Sequence, residues 1–82
     1  RANSLHPGFV RTPLLAAGFQ RWVDQGFAEK PEDLVDGVVA STPIGRLADP
    51  AEIASAIFFL ASEDSSYMTG AELVIDGGWT AQ

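Results

Sequence analysis

Residues 6–13 read His-Pro-Gly-Phe-Val-Arg-Thr-Pro, and this short run holds the best candidates for chemistry. Pro7 drives the residue before it into extended geometry. Gly8 carries no Cβ, so a flat ring or another backbone can approach the main chain there. The N–H and C=O groups around Val10 offer a donor and an acceptor together, the complement of a carboxamide. Thr12 adds a hydroxyl, and Pro7 and Phe9 add apolar walls. On residue types alone, a plain strand-to-helix turn, with Thr12 capping a helix that starts at Pro13, is the simpler explanation.

Other polar residues read as structural. Asn3 fits a role in holding neighbouring backbone. His6, at a strand end beside Pro7, fits a packed and hydrogen-bonded histidine better than a general base. Tyr67 follows Ser65 and Ser66, but the residue four places on is Ala71, and no lysine occurs after Lys30. A Tyr-x-x-x-Lys acid/base pair is therefore excluded, and Tyr67 reads as a loop residue. With no cysteine and one histidine, neither a disulfide nor a zinc site is expected.

Hydrophobic spacing supplies the elements that must position these residues. The chain through Leu5 reads as the end of a strand, cut off on its N-terminal side. Pro13 to Phe27 reads as a helix, with Leu15, Phe19, Trp22 and Val23 on one face and Gly26 as a stop. A second short helix starts near Pro31, with Glu32 and Asp33 in its first turn and Leu34, Val35, Val38 and Val39 on one side. Gly37 weakens that helix, and Ser41 to Leu47 reads as loop. Asp49, Pro50 and Glu52 then form an N-cap, a first-turn proline and the third helical position of a capping box. The helix they start, residues 49–62, is apolar nearly all round: Ile53, Ile57, Leu60 and Ala61 form one stripe, and Ala54 and Phe58 a second. Such a helix is covered on more than one side: a sheet on one side and, on the other, either a neighbouring subunit, the favoured reading, or the rest of a larger domain. Ser62 to Thr69 is polar loop. Ala71 to Ile75 is a strand whose continuous apolar run favours an interior, parallel position.

Composition bounds the function. The 82 residues carry a net charge of −6, and the five basic residues are scattered. Nucleic acid and acidic membrane surfaces are poor partners for such a surface. No apolar run reaches the ~20 residues a membrane helix needs, no leader is visible, and a cytoplasmic setting is expected. Hydrophobic residues make up 46% of the chain, more than so short a chain can bury by itself. The order of strand end, helices, long helix and strand is that of a parallel crossover, and two parallel strands do not stand alone. The expected fold is α/β: the last part of a Rossmann-like doubly wound parallel sheet, with all of residues 1–82 in one domain.

Four segments taken in order resemble the short-chain dehydrogenase/reductase family. Asn3 to Pro13 resembles that family's sixth strand and following loop. Gly45-Arg46 with Asp49-Pro50-Ala51-Glu52-Ile53-Ala54 is similar to the start of its last long helix, and Phe59-Leu60-Ala61-Ser62 to the end of that helix. Thr69-Gly70-Ala71 with Val74-Ile75-Asp76-Gly77-Gly78 resembles its seventh strand and C-terminal turn. Residues 14–42 are idiosyncratic, which in this family is the variable substrate lid, here about residues 13–42.

The resemblance implies hydride transfer between NAD or NADP, with a lean to NAD, and a secondary alcohol or ketone. It implies that Pro7, Gly8, Phe9, Val10 and Thr12 hold the nicotinamide end, with the Val10 backbone on the carboxamide. The family's phosphate loop and its catalytic Asn, Ser, Tyr and Lys lie ahead of the sixth strand, so no catalytic residue is assigned here. Leu14, Leu15, Phe19 and Trp22, with Phe27 nearby, form an apolar lid surface that favours a hydrophobic substrate. A homodimer or homotetramer through the 49–62 helix and the 71–75 strand is expected. The competing reading is a non-catalytic relative that serves as an assembly or binding module. If Trp22 lines the substrate site, Trp22→Ala in the intact protein raises the Michaelis constant for bulky alcohols; an unchanged constant counts against a lining role.

Overall fold

Ser4 to Pro7 form the first strand, β1, of a two-stranded parallel sheet in the computed structural model, which describes residues Arg1–Gln82. The other elements are α1 (Pro13–Asp24), α2 (Pro31–Ser41), α3 (Pro50–Ala61) and β2 (Glu72–Ile75), with single 3₁₀ turns at Glu63–Ser65 and Trp79–Ala81. Strand β1 pairs with β2 in the register Ser4↔Glu72 through Pro7↔Ile75. The α/β crossover expected from the sequence is therefore present. The strand runs two residues beyond Leu5, because Pro7 occupies a register where no donor toward β2 is needed. Ser4 and Gly8 donate to the Ala71 and Ile75 carbonyls at 2.9 Å each, while the intervening odd-numbered positions face the other edge.

Helix α1 opens at Thr12, whose hydroxyl accepts from the Leu15 N–H at 3.2 Å. It ends at Asp24, three residues before Phe27, in a Schellman turn: Gly26 takes φ +88, Phe27 N–H reaches the Trp22 carbonyl and Gly26 N–H the Val23 carbonyl, both at 3.0 Å. This motif brings the residue after the glycine back onto the last turn. The Phe27 and Trp22 rings accordingly sit 5.9 Å apart. Helix α2 keeps Ser41, which the sequence placed in the loop, and Thr42 closes it with a 2.7 Å bond from its hydroxyl to the Val38 carbonyl. Helix α3 begins after Asp49, where the Glu52 carboxylate accepts the Asp49 N–H at 2.9 Å.

The segment 62–69 carries more structure than its polarity announced. Ser65 is only 2% exposed, and its hydroxyl donates to carbonyls of the α3 end, Leu60 among them at 3.0 Å. The Arg1 guanidinium bonds to Ser65 and to the Ser62 carbonyl. Asn3 clamps the far side of the same loop, donating to the Met68 carbonyl at 3.2 Å and accepting from the Ala71 N–H at 3.0 Å. His6 is hydrogen-bonded to the Ser4 hydroxyl at 2.9 Å but exposed, not packed. Tyr67 is fully exposed on the loop.

Only Phe19, Thr42, Leu47 and Ser65 are buried, so these elements do not enclose a core of their own. The Cα radius of gyration is 15.2 Å, where a compact domain of this length would have about 12 Å. Helix α3 leaves Ile57 and Phe58 exposed, in keeping with its all-round apolarity. No helix is long and apolar enough to cross a membrane.

The turn after β2 fastens the chain that follows α2. Gly77 has φ +64, accepts the Ile44 N–H at 3.1 Å, and a Cβ there would lie 2.9 Å from the Thr42 methyl. Gly77→Ala therefore meets both a strained φ and a collision. It is expected to destabilise the intact protein by about 1–3 kcal/mol, read as a lowered midpoint in thermal unfolding; an unchanged midpoint would mean that this turn does not bear on the end of α2.

Candidate nicotinamide and substrate groove

At Val10 the loop after β1 is bridged from one side only. Ala48 makes an isolated parallel bridge to Val10: it donates its N–H to the Phe9 carbonyl at 3.0 Å and accepts the Arg11 N–H at 2.9 Å. A parallel bridge of this form uses the residues on either side of Val10 and leaves Val10 itself free. Val10 accordingly spends neither its N–H nor its C=O on an intramolecular bond. One backbone donor and one backbone acceptor are thus open on a half-buried residue.

Gly8 is tight on its other side. A Cβ there would lie 2.9 Å from both Cα and Cβ of Asp76, so no larger residue fits without moving the post-β2 turn. That turn is shaped by Asp76, whose carboxylate accepts from the Thr80 hydroxyl at 2.7 Å and from the Thr80 and Gly78 N–H groups. These bonds, the Thr80 hydroxyl foremost, hold the Asp76 carboxyl below the usual carboxylate range. Trp79 follows and meets Phe9 edge to face, ring centres 5.1 Å apart. Such a pair is worth about 0.5–1.5 kcal/mol beyond burial, and it pins the Phe9 wall.

Gly8, Phe9, Val10 and Thr12 line a groove of about 400 Å³ together with Leu14, Leu15, Phe19 and Trp22. The loop and lid residues singled out in the sequence therefore share one surface. Phe19 is buried beneath it, while Trp22 stays half exposed with Phe19 and Phe27 on either side at ring separations of 6.5 and 5.9 Å. Phe27 lies outside the groove, and so does Pro7. Pro7 still belongs to β1 and borders a neighbouring cleft with Val74 and Trp79. The Thr12 hydroxyl caps α1, which uses an oxygen lone pair and leaves its proton available to donate.

Two groove residues escaped the sequence reading. Gly18 and Arg21 also line it, on the side of α1 that the hydrophobic stripe did not mark. Arg21 is the one ionisable side chain among the lining residues. The groove can orient a flat, carboxamide-bearing ring against an apolar wall, but it contributes no acid/base group. No cluster of three or more His, Cys, Asp or Glu side chains suited to a metal is assembled.

Arg46 and Glu52 were seen separately in the sequence, as part of a motif and as a capping residue. In the structure they form a two-pronged ion pair, with Nη1 to Oε1 at 2.7 Å and Nη2 to Oε2 at 3.0 Å. No spacing rule signals a pair six residues apart across a helix start.

Comparison with known proteins decides the family. The family model for enoyl-(acyl carrier protein) reductase matches residues 1–80. The chain is 45% identical over 80 residues to oxidoreductase UcpA of Escherichia coli O157:H7, covering 98% of this chain and 29% of that protein. It is 43% identical over 81 residues to the 3-alpha-(or 20-beta)-hydroxysteroid dehydrogenase of Mycobacterium bovis, covering 99% of this chain and 25% of that protein. The structure superposes over its whole length on 34% of a short chain dehydrogenase family protein from Francisella tularensis, with TM-score 0.89 and 35% identity. The chain belongs to the short-chain dehydrogenase/reductase family. Its two strands and its helices are thus part of the Rossmann-like sheet of such proteins, and it spans about a quarter to a third of the length of these relatives.

The Arg46 guanidinium, with the Asp49 N–H beside it, holds the Glu52 carboxyl below its ordinary 4.5, at about 2. A lowered carboxyl contributes stability that is present above the ordinary value and fades as pH falls through the lowered one. The contribution of the tie to stability is therefore complete at neutral pH and fades as pH falls from about 4.5 toward 2, where the folded carboxyl itself takes up its proton. A carbon-detected NMR titration of the intact protein is expected to place Glu52 near the bottom of that window, and Arg46→Met to move it back toward the ordinary range; a Glu52 midpoint that ignores Arg46→Met would rule out the guanidinium as the cause.

Proposed function

We propose that the protein carrying this chain transfers a hydride between NAD(P) and a secondary alcohol or ketone of apolar character. In this reading residues 1–82 belong to one Rossmann-type domain. Gly8, Phe9, Val10 and Thr12 form the nicotinamide end of its pocket, and Leu14, Leu15, Phe19 and Trp22 form the substrate side. Residues 13–42 are the lid. The observation that carries the reading is the groove lined together by Val10, whose N–H and C=O make no intramolecular bond, and by the apolar residues of α1.

The chemistry divides accordingly. A bound nicotinamide supplies the hydride chemistry, and the protein supplies binding, orientation and electrostatics. Val10 fixes the carboxamide and with it which face of the ring meets the lid. Gly8 permits close approach, Thr12 offers a hydroxyl donor, and the lid wall seats the substrate and excludes water. Positioning of this kind lowers the entropic part of the barrier. The acid/base groups are assigned to the rest of the protein. The named oxidoreductase and hydroxysteroid dehydrogenase relatives support an alcohol or ketone, and the Leu and Trp wall supports an apolar one. The apolar α3 face and β2 are the proposed subunit contact, in a homodimer or homotetramer, and the cytoplasm is the proposed setting. The choice between NAD and NADP leans to NAD.

Hydrogen–deuterium exchange on the intact protein tests the assignment of Val10. NADH or NADPH, whichever binds, is expected to protect the peptide spanning Phe9 to Thr12. The corresponding nicotinamide-free fragment, ADP-ribose or its 2′-phosphate, is expected to leave it unprotected. Equal protection by both, or by neither, would remove the nicotinamide from this loop. Binding of neither coenzyme by a folded oligomer would favour an assembly module instead.

A further inference from the structure

The carboxamide-binding geometry of Val10 depends on Ala48, and Ala48 is an alanine in a short extended run with nothing of its own to hold it. The fixed points lie on either side. Leu47 is buried at 8% exposure. The Arg46 guanidinium reaches over it, donating to the Leu47 carbonyl at 3.2 Å and to both Glu52 oxygens. The Glu52 Oε1 that takes the Arg46 proton also takes the Asp49 N–H at 2.9 Å. Residues 46, 47, 49 and 52 are thus tied through one carboxylate and one guanidinium, and Ala48 sits at the crown of the closed ring. Arg46 and Glu52 also border a small cavity of about 90 Å³ beneath the loop, shared with Gly8 and Phe9.

We infer that the Arg46–Glu52 pair is a positioning device for nicotinamide binding: it fixes the Ala48 backbone, which in turn fixes the direction of the Val10 N–H and C=O. The inference rests on the reading of Val10 given above and goes beyond it. Neither side chain touches the groove, and both act through Ala48. The bridge from Ala48 to the loop consists of two hydrogen bonds. A shift of Ala48 along its own direction misaligns both at once, and a loop that must be ordered at each binding event binds more weakly. A guanidinium suits the task because its planar fork meets a carboxylate at two points, which a lysine cannot do.

A role confined to starting α3 would give a different result, and the experiment separates the two. Measure dissociation constants of the intact protein by nicotinamide fluorescence for the bound coenzyme, and by calorimetry for its nicotinamide-free fragment. Arg46→Met is expected to weaken the coenzyme about tenfold, the scale of one well-made hydrogen bond, and to leave the fragment within about twofold. Glu52→Gln keeps an acceptor for the Asp49 N–H, so the helix start survives, but it removes the ion pair. It is expected to weaken the coenzyme in the same selective way, and it serves as the test if Arg46→Met fails to fold. Arg46→Lys is expected to recover only part of the loss.

Equal weakening of coenzyme and fragment in both variants would overturn the inference in favour of general destabilisation. Unchanged coenzyme affinity in Glu52→Gln, with Phe9–Thr12 still protected by coenzyme in the parent protein, would overturn the inference and leave the Val10 assignment standing. Loss of that protection in the parent protein itself would instead overturn the Val10 assignment, and with it this inference.

Discussion

Ser4 to Pro7 lie beside Glu72 to Ile75 in parallel, and nearly every other feature depends on that register. A parallel pair cannot be closed by a tight turn, so the chain between the strands must travel the length of the sheet and return. Here the return carries the lid, the Ala48 run and α3. Asn3 sets the pairing at one end by bonding both the Met68 carbonyl and the Ala71 N–H. Gly8 sets it at the other, where only the absence of a Cβ lets the strand end lie against Asp76. A one-residue slip would separate Gly8 from Asp76 and put a side chain into that contact. It would also break the approach of Phe9 to Trp79, and the groove would lose its wall.

Much of this was legible in the sequence because the signals were local. Pro13, Pro31 and Pro50 each stand at the start of a helix, Gly26 ends one, and the apolar run Leu73-Val74-Ile75 marks a strand parallel to the first. The family resemblance set these pieces in order and drew residues 7–12 and the lid toward one pocket. What the sequence withheld was nonlocal. Arg46 and Glu52 meet across a helix start, Ala48 meets Val10 through backbone alone, and Ser65 is buried by bonds to the end of α3 although its neighbours are polar. Backbone pairing leaves no trace in residue type, and an alanine at position 48 looks inert.

The same division explains the errors at the edges of elements. Strand β1 ran through Pro7 because a proline is tolerated wherever its missing N–H would face away from the partner strand. Helix α1 stopped before Phe27 because Gly26 turned the chain, yet the apolar pattern continued across the stop, since the Schellman turn returns Phe27 to Trp22. Periodicity reported the packing correctly and the helix boundary incorrectly. Pro7, just before the loop after β1, borders the cleft beside Val74 and Trp79, which Gly8 and Phe9 also line.

The unpaired backbone at Val10 follows from the geometry of its bridge to Ala48. A parallel bridge engages alternate residues, so the free groups of a loop residue such as Val10 are a donor and an acceptor on the same side. The bridge therefore leaves a donor and an acceptor together on Val10 at the point where the strand leaves its sheet, without any side chain being selected for it. The side chains that matter are those that keep the bridge in place. That burden falls on Arg46 and Glu52 below the loop, on Trp79 beside it and on Gly8 within it, and only the last of these announces itself by residue type.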